Sequence, residues 1–255
     1  RTKLKDCYLS CACENYDVLV FVETWLTPAI SDLEVLDDRY VVFRNDRNSG
    51  NSVKKSGGGV MIAVKSCLAP SVLSITANIE ELWVSVQLVN KRYIFCAVYF
   101  PPDSNIDAYS IHVQNVKKNV YDYADSTVFI LGDYNLCNVR WIQDIDTNMY
   151  VPVNVKSEKD LLICDKFYSF DLSQFNYFVN CSNNVLDLCF SNCDNLIIKG
   201  CVVLTKEDLF HPPFKFTIYD CDIFLDDFCD TYLDFKNASY NAINDYLLSV
   251  NWNCI

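Results

Sequence analysis

The segment TVFILGDYNLCNVRW, Thr127 to Trp141, decides how the rest of the chain is read. A run of β-branched and apolar residues stops at Gly132, and Asp133 and Asn135 follow at once. Such a run reads as a buried strand arriving at the surface, because Gly, Asp and Asn suit turns and tolerate left-handed dihedrals. Taken alone, Gly-Asp-x-Asn is most simply a loop. The other reading is chemical. A carboxylate and an amide two residues apart, leaving one strand end on the same side, can address an activated water and a phosphate together.

Similar strand-like runs recur along the chain: YDVLVFVETWL (16–26), YVVF (40–43), GGVMIAV (58–64), LWVSVQL (82–88), YIFCAVYF (93–100), VLDLCF (185–190) and FKFTIYD (214–220). Two helices interrupt them. Ile106, Tyr109, Val113, Val116 and Val120 keep helical spacing, and a second helix follows Ser157 with Asp160 as its capping partner. Many strands, few helices and no regular alternation favour an α+β sandwich over a doubly wound sheet. Gly57-Gly58-Gly59 precedes a strand and not a helix, so it reads as a turn or bulge and not as a phosphate-cradling loop. Near the end, Tyr240, Ile243 and Leu247 mark one helical face beyond the last strand.

The chain has 255 residues, 51% of them apolar, which suits one large domain or two small ones. Its opening, RTKLKDCYLSC, lacks a signal-peptide pattern, and no apolar run is long enough to span a bilayer, so a soluble, intracellular protein without a membrane partner is expected. Fourteen scattered cysteines lack zinc spacing and read as mostly buried free thiols. A net charge of −12 argues against a surface that coats nucleic acid generally through phosphate neutralisation. It leaves room for a phosphodiester site built around a cation, which inverts local electrostatics.

Other polar residues sit, like Asp133 and Asn135, at or near the ends of apolar runs. Glu23 follows VLVFV, Tyr99 closes YIFCAVYF, Asp187 lies within VLDLCF and His211 precedes Pro212-Pro213. Singly, each has an ordinary structural explanation, except that an acid between Leu186 and Leu188 is costly unless paired. Of the two histidines, His112 lies near the edge of a helix's apolar face and reads as structural.

In this order, ETWL, GGGV, VYFPPDSN, GDYN, VLDL and HPP resemble the endonuclease domain of non-LTR retrotransposons, in the endonuclease/exonuclease/phosphatase superfamily with apurinic-site endonucleases and DNase I. The resemblance spans nearly the whole chain, and the tail DFKNASYNAINDYLLSVNW resembles the segment leading toward a reverse transcriptase. It implies a DNase I-like, four-layered α/β sandwich of two packed sheets flanked by helices, with its first strand missing. The implied organisation is a nuclease domain over 1–222 and, over 223–255, the start of a linker. The implied chemistry is Mg²⁺- or Mn²⁺-assisted nicking of target DNA in the nucleus, with element RNA met only through absent domains.

By position, Glu23 matches the family's metal-binding glutamate, Asp133 the acid acting on the water, and Asn135 the amide holding water and phosphate. Tyr99 matches the phosphate-contacting tyrosine, His211 the histidine facing the phosphate, and Asp187 the acid orienting that histidine. Leu209-Phe210 stands where the family carries Ser-Asp, which leaves Asp208 as the candidate replacement in the metal site. Two alternatives stay open: a phosphodiesterase or phosphatase acting on another phosphate ester, and a decayed, catalytically silent copy. The oligomeric state is not legible.

Overall fold

A computed structural model describes residues 3–54, 56–146, 149–194, 196–201, 204, 208–218 and 237–250. Helix α1 (Leu4–Cys13) leads into β1 (Val18–Val22), the short α2 (Asp32–Val35), β2 (Tyr40–Asn45), β3 (Val60–Lys65), β4 (Ser71–Ile75), β5 (Glu80–Gln87) and β6 (Arg92–Tyr99). Then come α3 (Ile106–Asp122), β7 (Thr127–Asp133), β8 (Arg140–Gln143), β9 (Tyr150–Val153), α4 (Glu158–Ser169), β10 (Ser173–Gln174), β11 (Asp187–Ser191), β12 (Leu196–Gly200), β13 (Phe214–Ile218) and α5 (Tyr240–Ser249). Both expected internal helices form with the caps that end their backbone deficit. Asn105 accepts the Ala108 N–H on α3, and Ser157 and Asp160 exchange bonds as a capping box on α4.

Eight strands form one sheet in the order β4-β5-β6-β7-β11-β10-β9-β8, with β6 and β7 parallel. Alternation along its central strands divides the core. Ile94, Cys96, Val98, Val128 and Ile130 face α3 and α4, while Phe95, Ala97, Phe129 and Leu131 face the opposite layer. That layer is split into a three-stranded sheet, β1-β3-β2, and a β12-β13 pair. Met61 and Ala63 on the outer side of β3 then pack with Cys7 and Cys11 of α1 and Val35 of α2. Helix, sheet, sheet and helix layers follow one another. The second sheet, expected as one piece, is two pieces among the described residues.

Each strand-like run yields a strand. The run at 16–26 shrinks to β1 because the chain turns left-handed at Glu23 (φ 51°) and Trp25 (φ 55°). Strands β4, β8, β9, β10 and β12 have no counterpart in the sequence reading; they are short, or half-exposed and weakly patterned. Gly57, Gly58 and Gly59 do form a turn into β3, all at positive φ. The described cysteines are free, but only five are buried and Cys67, Cys137 and Cys181 are exposed. No described helix is long and apolar enough to cross a membrane. The expected domain boundary at 222–223 lies outside the described residues.

Candidate active site

Register places the chemistry. Across β5, β6, β7 and β11, Glu80 stands opposite Tyr99, Tyr99 opposite Asp133, and Asp133 opposite Asp187. The four side chains belong to the row facing the split layer, at the rim of the large sheet, where β6 and β7 end together. Gly132 makes the close approach possible. A Cβ there would lie 1.9 Å from the Val98 carbonyl oxygen. Its part in Gly-Asp-x-Asn is therefore strand contact, not the turn that the sequence suggested.

The turn begins one step later. Asn135 lies beyond β7 with φ 48°, its N–H donates to Asp133 Oδ1 (3.0 Å), and its Nδ2 donates to Asp133 Oδ2 (2.9 Å) and to the Phe100 carbonyl (2.8 Å). Asp133 and Asn135 meet through this left-handed turn, not through strand alternation. Both are buried.

His211 arrives from the loop before β13. Its Nδ1 donates to Asp187 Oδ2 at 2.9 Å, and its Nε2 stands 4.0 Å from Asp133 Oδ2. The Asp187 hydrogen bond, opposed by burial, raises His211 to about 9. Burial and then Asp187 push Asp133 up to about 8, against His211 and the Asn135 N–H. Asp187 itself opens β11, so it is half-buried at a strand end and not midway along the strand.

Glu23 comes from the facing layer. The Tyr99 hydroxyl makes a very short hydrogen bond to Glu23 Oε1, and burial followed by this contact holds the phenol well above its usual range. Thr24 and Trp25 N–H groups donate to the Gly59 and Gly58 carbonyls, fixing the Glu23 turn against the triple glycine. Glu80, which the sequence reading missed, holds that triple glycine. It accepts the Gly59 N–H and pairs with Arg47 at 2.6 Å, and the Arg47 guanidinium lies 5.6 Å above the Tyr99 ring. The available signal was two acids, Glu80 and Glu81, opening an apolar run, a costly arrangement unless both are paired.

The structure therefore gathers Glu23, Tyr99, Asp133, Asn135, Asp187 and His211 at one rim. Asp208 stands differently. Its Oδ1 accepts the Phe210 N–H and its carbonyl accepts the His211 N–H, so it shapes the loop, and Phe210 is exposed. Donor atoms of Asp133, Asp187 and His211 lie within 4.8 Å of one another, as do those of Glu81, Cys96 and His112 in the core. The first group fits a hard divalent cation: it offers carboxylate oxygens, and the raised Asp133 beside Asp187 is a repulsion that a cation would relieve.

The profile of the endonuclease/exonuclease/phosphatase family matches residues 8–192, and the chain belongs to that family. No curated protein matches it. Among solved structures it is similar to the endonuclease domain of TRAS1, a telomere-specific non-LTR retrotransposon, with TM-score 0.59 and 12% identity over 86% of this chain and 93% of that one. That similarity shows the fold. The 3′ phosphatase NExo from Neisseria bound to a product DNA hairpin also matches, with TM-score 0.49 and 12% identity over 80% and 89% of the two chains. An endonuclease/exonuclease/phosphatase family protein from Leptotrichia buccalis matches with TM-score 0.45 and 14% identity over 76% and 82%.

Proposed function

We propose that this member of the endonuclease/exonuclease/phosphatase family is a metal-dependent DNA endonuclease of a non-LTR retrotransposon, nicking target DNA in the nucleus to leave the 3′-hydroxyl that primes reverse transcription. The observation that carries the chemistry is the Tyr99–Asp133–Asp187 row with His211 bonded behind it and Glu23 in front. The retroelement assignment is supported by the order of ETWL, GDYN and HPP and by the tail after residue 222, read as the start of a linker.

Glu23, Asp133 and Asp187 would hold the cation, which supplies Lewis-acid charge at the phosphate and offsets the repulsion between the two aspartates. Asp133, raised to about 8 by burial and Asp187, would be ionised by the bound cation; fixed by two bonds from Asn135, it then accepts the proton of the attacking water. His211 keeps its Nδ1–H on Asp187, which sets its tautomer and orientation and leaves Nε2 for the phosphate. The bond to Asp187 raises the ring and so favours its protonated form, which donates to the oxygen that gains charge in the transition state. Supercoiled plasmid incubated with Mg²⁺ or Mn²⁺ should become nicked, EDTA should abolish nicking, and a DNA polymerase should extend the nick without prior phosphatase treatment. Nicks that polymerase cannot extend would reject the priming role, and release of phosphate without nicking would identify a phosphatase.

A further inference from the structure

On the other face of β5, Glu81 points away from the candidate active site and into the layer under α3. It is completely buried, as is His112 of α3. Glu81 Oε1 accepts from Thr76 Oγ1 (2.7 Å), Trp83 Nε1 (2.9 Å) and Asn115 Nδ2 (2.7 Å), and Oε2 makes a very short contact with His112 Nδ1. The other ring nitrogen of His112 meets the Tyr134 hydroxyl at 2.8 Å. With Cys96 nearby, this cluster has the composition of a metal site, but each ligand atom of Glu81 and His112 already has a hydrogen-bond partner. A cation would have to displace those bonds in a fully buried place. The cluster works as a brace.

Its far end locates what it braces. Tyr134 stands between Asp133 and Asn135, with its ring on the core side of the turn whose carboxylate and amide face the rim. Its backbone is held as well: the N–H donates to the Leu186 carbonyl (2.9 Å), and its own carbonyl accepts the Tyr109 hydroxyl (2.7 Å). Phe100, whose carbonyl accepts from Asn135, stacks on Tyr109 at 4.1 Å and meets the His112 ring edge-on. Asn135 occupies a left-handed conformation, which Asn tolerates better than most residues, and its bonds to Asp133 and to the Phe100 carbonyl tie that turn to this packing. A carboxylate only accepts, so His112 donates through Nδ1 to Glu81, and its Nε2 shares a hydrogen bond with the Tyr134 hydroxyl.

We propose that Glu81 and His112 are positioning residues. Acting through the Tyr134 hydroxyl, they set the turn that carries Asp133 and Asn135 from the opposite face of the sheet. The catalytic consequence rests on the nuclease reading above; the structural consequence does not.

Tyr134→Phe keeps the ring and removes only the hydroxyl, so it is the variant of choice, with His112→Gln and the double variant beside it. Amide hydrogen exchange, followed by mass spectrometry, should quicken in the peptide containing 133–139 and stay unchanged in the β6 peptide containing 93–98. In plasmid nicking, kcat should fall roughly 10–100-fold with little change in KM, as happens when groups that orient an active-site residue are lost. The double variant should be no slower than His112→Gln alone, because both changes cut one connection. Unaltered exchange at 133–139 in both single variants would overturn the proposal, whatever the change in melting temperature. If the wild-type protein does not nick DNA at all, the nuclease reading fails while the exchange measurement still decides this one.

Discussion

Asp187 stands directly opposite Asp133 in the antiparallel pairing of β11 with β7, and His211 bonds to the first at 2.9 Å while its other nitrogen lies 4.0 Å from the second. Two carboxyls and one imidazole thus share a rim without sharing a loop. Sheet register fixes the acids, and the HPP segment brings the imidazole to them.

The first consequence is a titration. His211 is raised to about 9 chiefly by its bond to Asp187, so in metal-free protein its ring should remain protonated at pH 7.5. Asp187→Asn should return it toward 6.5, the ordinary value. Because the folded value is the higher one, the pair's contribution to stability is complete below about pH 6.5 and is lost as pH climbs through about 9. With only two histidines in the chain, ring resonances in NMR can follow this directly. An unshifted titration in Asp187→Asn would show that the bond does not set the charge of His211.

A second expectation concerns Gly132. Alanine there must push against the Val98 carbonyl and Cγ1, at 1.9 and 2.8 Å from the new Cβ, and so separate β6 from β7 where Tyr99 and Asp133 stand side by side. Gly132→Ala should cost about 1–3 kcal/mol in urea unfolding, the usual range for overpacking, and should slow nicking beyond what the stability loss explains. A variant as stable and as active as wild type would mean the strands can part without cost.

The buried pair of Arg47 and Glu80 offers a third. Their side chains are 5% and 1% exposed, and Arg47→Met would strand the carboxylate beneath the triple glycine. Destabilisation of about 3–5 kcal/mol is expected, as for breaking other buried pairs, with Arg47→Met/Glu80→Gln less damaging than the sum of the single changes. Additive losses in chemical unfolding would show that the two do not act as a pair.

Phe210 provides the fourth. Its exposed ring precedes His211, and Asp208 Oδ1 is committed to the Phe210 N–H, so Asp208 serves the loop more than the rim. Phe210→Asp should lower the Mg²⁺ concentration needed for nicking, since carboxylate count tunes affinity for such cations. If that titration is unchanged while Asp208→Ala shifts it, Asp208 is the ligand after all.

How much of this was readable without coordinates follows from range. VLVFV, YIFCAVYF and TVFILGD are near-continuous apolar runs, and each became a strand of the predicted kind because a strand covered on both faces needs little else. The edge strands β4 and β8 carry no such signal, since most residues of β4 and half of those of β8 face water. Tyr99, Asp133 and Asp187 were legible as polar ends of apolar runs, but their common row is a matter of register across β6, β7 and β11. Periodicity within one strand does not encode register between strands. Glu80, Arg47 and Glu81 were missed for the same reason. The partners that pair them across the fold, at Gly59, Arg47, His112 and Asn115, lie 21 to 34 positions away, and a buried acid is recognised by its partners. His112 read as structural, and its bond to Tyr134 and its contact with Phe100 link it to the turn.

The central claim is that this rim hydrolyses a phosphodiester with a cation and with His211 as proton donor. Plasmid nicking by the wild-type protein and by His211→Ala, each in Mg²⁺ and in EDTA, measures it most directly. The account predicts nicking by the wild type in Mg²⁺ alone, and a rate lower by roughly two or more orders of magnitude in His211→Ala, the size of effect seen when one strong transition-state contact is removed. Nicking by the wild type that persists undiminished in EDTA, or a His211→Ala rate equal to wild type, would contradict it.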